Sequence, residues 1–449
     1  METVKVALLG AGTVGSQVYR LLQEQAADLA ARAGATIEVA AVAVRDVDAE
    51  RDVEIPRDLL TTDAEGAIDD ADIVIELIGG IEPPRTYVMR ALREGKTVVT
   101  GNKALIAAHG PELYEAAAKS GADLYYEAAV AGAIPVVYGL RESLAGDRIS
   151  SIMGIVNGTT NFILDAMATT GASYEEALAE AQRLGFAEAD PTADVEGFDA
   201  AAKAAILASL AFHTRVSIDD VTREGITKIT AADMAEAKKS GHVVKLLALA
   251  DRVPQPDGSE GISVRVHPAL VPVDHPLATV DGVYNAVVVE GEAAGRLMFY
   301  GQGAGGAPTA SAVLSDVVAA AWHIANGGDA PRELIYANLP ILPARDAVTH
   351  YQIHLLVEDR VGVLAEVAGI FAEKGVSIKS VTQSTDPVDG SEEARDREAV
   401  AQAQGLRRPP TTLLIATHSA LEGALQDVVE ALALAPAVLE VLSTLRIEG

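Results

Sequence analysis

"VKVALLGAGTVGSQVYRLL", residues 4–22, joins a near-continuous apolar run to an amphipathic one through three glycines. Seven apolar-dominated residues in a row (4–10) suit a strand buried on both faces, as in a parallel sheet. The segment 13–34 reads as one helix closed by Gly34. At this junction each glycine has its own task. Gly10 makes the tight turn, Gly12 lets backbone approach a pyrophosphate, and Gly15 lets helix pack on strand. The helix start adds free N–H groups and a partial positive charge. Gly10, Gly12, Thr13, Val14 and Gly15 are therefore candidate dinucleotide-binding residues.

Outward from this turn the pattern repeats. Further strands are expected at 37–44, 71–79, 96–101 and 123–130, with helices at 84–95 and 110–121 between them. Alternating strands and helices give a Rossmann-type, doubly wound α/β domain over 1–130. Strand 37–44 leads into Arg45 and then Asp46. An acid there suits the ribose hydroxyls of NAD, and an arginine suits the extra phosphate of NADP. Both readings stay open, with Arg45 favouring NADP and NAD tolerated.

From 131 to 307 the order changes to an α+β unit. Helices are expected at 173–185, where Ser173 and Glu176 form a capping box, at 199–213 and at about 231–250. Strands follow at 261–271, 284–292 and 295–303. A helix at 308–327 is expected to complete the first domain. A proline-marked link, "NLPILPARD" (338–346), opens a third unit, 346–449. Its strand, helix, strand, strand, helix, strand order predicts a ferredoxin-like sandwich. Residues 384–410 carry many charges and few apolar side chains, and read as a mobile insertion.

Composition narrows the function. The 449 residues carry a formal charge of -29, which repels nucleic acid and anionic membranes. Without cysteine there is no disulfide, thiolate metal site or cysteine nucleophile. No run of ~18 apolar residues and no secretory leader is evident, so a soluble, cytoplasmic protein is expected.

The chemistry concentrates in "AEADPTADVEGFDAAAK", residues 187–203. Asp199 and Lys203 are four apart and share one helix face. Such a pair is ordinarily a surface ion pair. Between Ala200 and Leu210, however, only Lys203 and Ser209 are polar, so most of this helix must be buried. A buried charge pair is costly and collects at sites that use it.

The stretch 181–203 resembles the signature of homoserine dehydrogenases at Ala181, Gly185, Asp190, Pro191, Asp194, Gly197, Asp199 and Lys203. "GNKAL" (101–105), "YEAAVAGAIP" (126–135), "GIVNGTTNFIL" (154–164), "HPLATVDGVYNAV" (275–287) and "MFYGQGAGGAPTASAV" (298–313) resemble that family in order and spacing. "VEDRVGVLAEVAGIFAEKGVSI" (357–378) resembles an ACT regulatory domain. The resemblance implies reversible NAD(P)-dependent interconversion of L-homoserine and L-aspartate 4-semialdehyde, in threonine, methionine and isoleucine synthesis. It implies Lys203, Lys103 and Asp199 as catalytic residues, with Lys203 the proton donor in reduction. It implies Glu188, Asp194, Gly158 and Thr159 as substrate contacts, and Lys103 and Gly303 as further cofactor contacts. It also implies a monovalent cation, usually sodium, on Glu127, Val130, Gly132 and Ile134. A homodimer or homotetramer inhibited by L-threonine at the "EDRVG" turn completes these expectations. Two alternatives remain: a Rossmann oxidoreductase of another semialdehyde, and a non-catalytic nucleotide and amino-acid sensor.

Overall fold

A computed structural model describes residues 2–330, 334–383, 392–404, 406 and 408–449. The first sheet contains β1 (Glu2–Leu9), β2 (Ala35–Ala43), β3 (Leu60–Thr61), β4 (Ile73–Glu76), β5 (Thr97–Thr100) and β6 (Leu124–Tyr125). They lie in the order β3-β2-β1-β4-β5-β6, every neighbour parallel. The order reverses between β1 and β4, which opens a crevice at the carboxyl ends of the strands, where dinucleotides bind in such sheets. The segment 13–34 forms two helices, Thr13–Glu24 and Ala26–Ala33, rather than one. Their break at Gln25 is slight, because Gln25 N–H still reaches Leu21 O at 3.0 Å. Helix Gly306–Asn326 returns to this domain, its Val313 and Val317 sharing a core with Val4, Val6 and Val18.

The second sheet spans the rest of the chain. It comprises β7 (Ile149–Ile155), β8 (Thr222–Arg223), β9 (His242–Pro254), β10 (Glu260–Pro272), β11 (Tyr284–Gly291), β12 (Gly295–Gln302), β13 (Val348–Val357), β14 (Ile378–Gln383), β15 (Thr411–Thr417), β16 (Ala420–Leu421) and β17 (Val438–Ile447). The main path runs β12-β11-β7-β9-β10-β17-β13-β15-β14, with β8 on β10 and β16 on β13. The helix expected at 231–250 is corrected. It stops at Lys239, Gly241 adopts φ 76, and "HVVKLLALADRVP" runs on as β9. A mostly apolar run fits either period, and only the glycine marks the change. Strand β7 and helix Gly158–Thr170, which precede the capped helix Tyr174–Arg183, went unread in the sequence.

Strands β13 to β17 with helices Val363–Glu373 and Glu422–Ala433 form the third unit, cored by Ile353, Val367, Phe371, Ile415 and Val428. Within the stretch read as a mobile insertion, residues 392–404 form a helix, Glu392–Gln404. Its Glu, Ala, Arg and Gln content favours helix despite the few apolar residues. Residues 384–391, 405 and 407 of that stretch lie outside the described residues. The third unit is joined edge to edge with the second: β17 pairs β10 in parallel, Ala269 with Arg446 and Leu270 with Ile447.

Candidate active site

Two lysines converge on one carboxylate. Lys203 stands in the buried helix Phe198–Phe212, and Lys103 opens helix Lys103–Ser120. Lys203 Nζ donates to Asp199 Oδ2 at 2.7 Å and to Val156 O at 2.6 Å. Lys103 Nζ lies 2.9 Å from Asp199 Oδ1, and its side chain remains 44% exposed. A lysine in the first turn of a helix opposes the helix dipole. Asn102 fixes it there, accepting Leu105 N–H at 3.1 Å as N-cap and donating to Gly80 O at 2.7 Å.

Asn157 ties the second layer together. It caps helix Gly158–Thr170 by accepting Thr160 N–H at 2.9 Å. Its Nδ2 donates to Asp194 Oδ1 at 2.7 Å and to Asp199 Oδ2 at 2.8 Å. Gly158 is required here, because a Cβ would stand 2.6 Å from Val283 O. Thr159 Oγ1 donates to Phe186 O at 2.7 Å, holding the acidic loop over the helix start. Glu188 lies exposed on that loop, and its charge is felt at Lys103.

These contacts set the charges. Burial pushes the Lys203 ammonium below the usual lysine range; Asp199 opposes this and the Lys103 charge adds to it. Burial also acts against Lys103, but Asp199, Asp194 and Glu188 hold it above its ordinary value. Burial works against the Asp199 carboxylate too, and the two ammonium groups override it, keeping Asp199 far below the carboxylate range. Burial lifts the Asp194 carboxyl, with Asn157 opposing and Asp199 adding.

The glycine turn fits a dinucleotide. Gly10 has φ 101, and a Cβ there would meet Leu77 O at 2.7 Å, while one at Gly15 would meet Gly10 O at 2.0 Å. Gly12 faces open space, at a helix start that no side chain caps. Thr13 and Val14 open that helix. Arg45 and Asp46 follow the end of β2 and are exposed. Arg51 and Arg57 brace the same loop through Ala49 O and Val47 O. Glu76, fully buried at the end of β4, accepts Ile78 N–H at 2.8 Å and Thr100 Oγ1–H at 2.7 Å, shaping the crevice wall.

The loop 127–135 packs between these parts. Glu127 is buried, and its carboxylate accepts Val137 N–H at 3.0 Å and Tyr138 N–H at 2.8 Å. Ala131 and Gly132 both adopt left-handed backbone, φ 58 and 56. For alanine that conformation is strained and suggests a functional demand. The carbonyls of Val130, Gly132 and Ile134 lie on this short loop, and Ile134 O accepts Val136 N–H at 2.8 Å. Burial lifts the Glu127 carboxyl to about 7, so a nearby cation would favour its ionised form. A Cβ on Gly132 would stand 2.5 Å from Gly303 O, and one on Gly303 would overlap the Asn285 amide. This buried amide has no hydrogen-bond partner.

Family profiles match three stretches: 10–127, described as the homoserine dehydrogenase NAD-binding domain; 135–318, as homoserine dehydrogenase; and 351–404, as an ACT domain. The homoserine dehydrogenase of Corynebacterium glutamicum is 56% identical, covering 100% of this chain and 96% of its own length. The chain belongs to the homoserine dehydrogenase family. It is thus an oxidoreductase with an NAD(P)-binding domain and a regulatory ACT domain. The homoserine dehydrogenase of Mycobacterium tuberculosis is 52% identical over 100% of this chain and 98% of its own. A crystal structure of a homoserine dehydrogenase from Thiobacillus denitrificans superposes with a TM-score of 0.88 at 38% identity, covering 100% of this chain and 99% of that one. A hyperthermophilic archaeal homoserine dehydrogenase in complex with NADPH matches 71% of this chain and 97% of its own, with a TM-score of 0.58 at 26% identity.

Sequence reading missed Asn157, Asn102 and Asn285. The first two carried a legible signal, an asparagine directly before a helix start. In the ACT domain, Gly362 has φ 95 at the start of helix Val363–Glu373, with open space where a side chain would lie. The Asp359 carboxylate stands 3.5 Å from an Arg408 nitrogen. Among the described residues no helix is long and apolar enough to cross a membrane.

Proposed function

We propose that this homoserine dehydrogenase reduces L-aspartate 4-semialdehyde with Lys203 as the proton donor. The observation that carries this reading is the count of donors on Lys203. An ammonium has three N–H groups, and two are taken by Asp199 Oδ2 and Val156 O. The third is left for the substrate oxygen. Bound NADPH would supply the hydride to the aldehyde carbon. Lys203 then gives its proton to the oxygen as negative charge develops, and burial makes that proton easier to give than a free lysine's. Lys103 polarises the same oxygen and reaches towards the cofactor. Asp199 stays ionised, so it aims both ammonium groups rather than carrying the proton itself.

Asp194 and Glu188 receive the substrate ammonium, and the first N–H groups of helix Gly158–Thr170, at Gly158 and Thr159, receive its carboxylate. The glycine turn and Gly303 hold the dinucleotide. Exposed Arg45 favours the 2′-phosphate of NADP, with NAD tolerated; Arg45→Ala should weaken NADPH more than NADH. A sodium-like ion fits the oxygen donors Glu127, Val130, Gly132 and Ile134, where one carboxylate and neutral carbonyls suit a hard, weakly bound cation. Met298 and Tyr300 lie exposed on edge strand β12 with Tyr284 beside them, which supports a homodimer or larger assembly; the cytoplasm is the expected compartment. L-Threonine at the turn around Gly362 is the expected inhibitor.

The test compares aspartate semialdehyde with succinate semialdehyde, which lacks the amino group, under saturating NADPH. An ammonium pocket should give the amino-free compound a kcat/KM lower by about 100-fold, the worth of a lost charge-assisted contact. Equal efficiencies would overturn the substrate assignment.

A further inference from the structure

The guanidinium of Arg446, on the last strand of the ACT domain, serves two units at once. Nε and Nη2 donate to Glu422 Oε1 at 3.0 and 2.6 Å. Glu422 opens helix Glu422–Ala433, is almost fully buried, and takes a further hydrogen bond from Tyr351 Oη–H at 2.7 Å. Nη1 instead donates to Glu224 Oε2 at 2.9 Å. Glu224 belongs to the catalytic unit, directly after β8, and its N–H reaches Val266 O at 2.7 Å.

The residues around Glu224 grip the acidic loop. A Cβ on Gly225 would lie 2.3 Å from Val195 O, so the two backbones are in contact with no room between them. Ile226 N–H donates to Val195 O at 2.8 Å, and Arg223 Nη1 to Glu196 O at 2.8 Å. Thr227 Oγ1 donates to Glu196 Oε1 at 3.0 Å. Val195 and Glu196 follow Asp194 and precede Gly197, which starts the Lys203 helix. The segment 223–227 therefore holds the short link between the proposed ammonium ligand and the catalytic helix.

We propose that Arg446 is a positioning residue for the substrate site: by holding Glu224 it fixes segment 223–227, and through that segment the placement of Asp194. The other end of the same guanidinium is the start of an ACT helix, so movement of that helix reaches the substrate loop through one side chain. The inference rests on the reading of Asp194 as a substrate contact.

Glu224→Ala is the cleaner probe, because Glu224 is 48% exposed and Arg446 keeps Glu422 after its loss. It should raise KM for aspartate semialdehyde about fivefold, with kcat and NADPH affinity within about twofold of the parent, the signature of lost substrate placement alone. Glu224→Gln, which still accepts from Arg446, should recover most of the loss. In an Arg446→Met background, Glu224→Ala should add nothing further. An unchanged KM in Glu224→Ala, or equal losses of semialdehyde and NADPH affinity, would overturn the proposal. Asp194→Asn separates the two readings. If its semialdehyde KM is unchanged, the substrate assignment has failed; if that KM rises while Glu224→Ala stays parental, only the role of Arg446 has failed.

Discussion

Two of the clusters of buried charge in this molecule are built differently. Around Lys203, Asp199, Asn157 and Asp194 the contacts are 2.6 to 2.8 Å long, and every one of those side chains has a partner. At the junction of β10 and β17, Arg265 Nη1 and His267 Nε2 each lie 3.6 Å from Glu448 Oε1. There Arg265 Nε and Nη1, His267 Nε2, Ser263 Oγ and Glu422 Oε2 are buried without hydrogen-bond partners. A fully paired cluster is held in one geometry, whereas a partly paired one loses little by shifting. The first arrangement suits chemistry that needs aimed protons. The second suits a joint between a catalytic unit and a regulatory one.

Removing the catalytic cation should separate the two most sharply. Lys203→Ala should lower kcat at least ~100-fold, as loss of a general acid does. Asp199 keeps Lys103 as a partner at 2.9 Å, so the fold and NADPH binding should survive. Cofactor fluorescence titration and single-turnover rates measure the two separately. Near-parental turnover would remove Lys203 from the mechanism.

The mirror experiment is Arg265→Ala. Arg265 donates to Asp251 Oδ2 at 2.9 Å and faces Glu448, so its loss strands the buried Glu448 carboxyl and the partly buried Asp251 carboxyl. Breaking one partner out of a buried pair costs about 3 kcal/mol, which urea unfolding will register. Turnover of the folded protein should stay within about twofold of the parent, since Arg265 reaches no residue of the substrate loop. A large loss of kcat with unchanged stability would erase the distinction between cluster and joint.

The same contrast governs how much could be read in advance. The first domain was legible because its strands are short apolar runs punctuated by Gly10, Gly34 and similar residues. Neighbours in that sheet are also mostly neighbours in sequence. Lys203 was legible because four-residue spacing on an apolar helix is a local signal. β9 was not, since "VVKLLALA" satisfies helix and strand periods alike. Asn157 carried a cap signal, but its link to Asp194 and Asp199 was not legible, because the amide meets them only once the end of β7 is brought against the 187–203 loop. The pairing of Ala269 with Arg446 joins segments far apart in the chain. It follows from how two finished units meet, and no local pattern encodes it.

The smallest expected effect lies within the joint, and it is a pH dependence. Burial lifts the Glu448 carboxyl to about 7, with Arg265 and Arg446 opposing and Asp251 adding to the rise. His267, also facing Glu448, is held well below its ordinary value by burial and by both arginines, so it stays neutral across this range. Thr349 Oγ1 donates to Glu448 Oε1 at 3.1 Å. A carboxyl raised on folding favours the protonated form in the native state. Its contribution is therefore complete below the unfolded value of 4.5 and is lost as pH rises through about 7. Glu448→Gln removes that titration while keeping an acceptor for Thr349. Thermal midpoints measured every half unit from pH 4.5 to 8 should fall less steeply for Glu448→Gln than for the parent. The difference should grow up to about pH 7, level off above it and reach only a few degrees, because one partly relaxed site carries it. Parallel curves would mean that Glu448 is already ionised in the native joint, and that Arg265 holds it far more tightly than a 3.6 Å separation suggests.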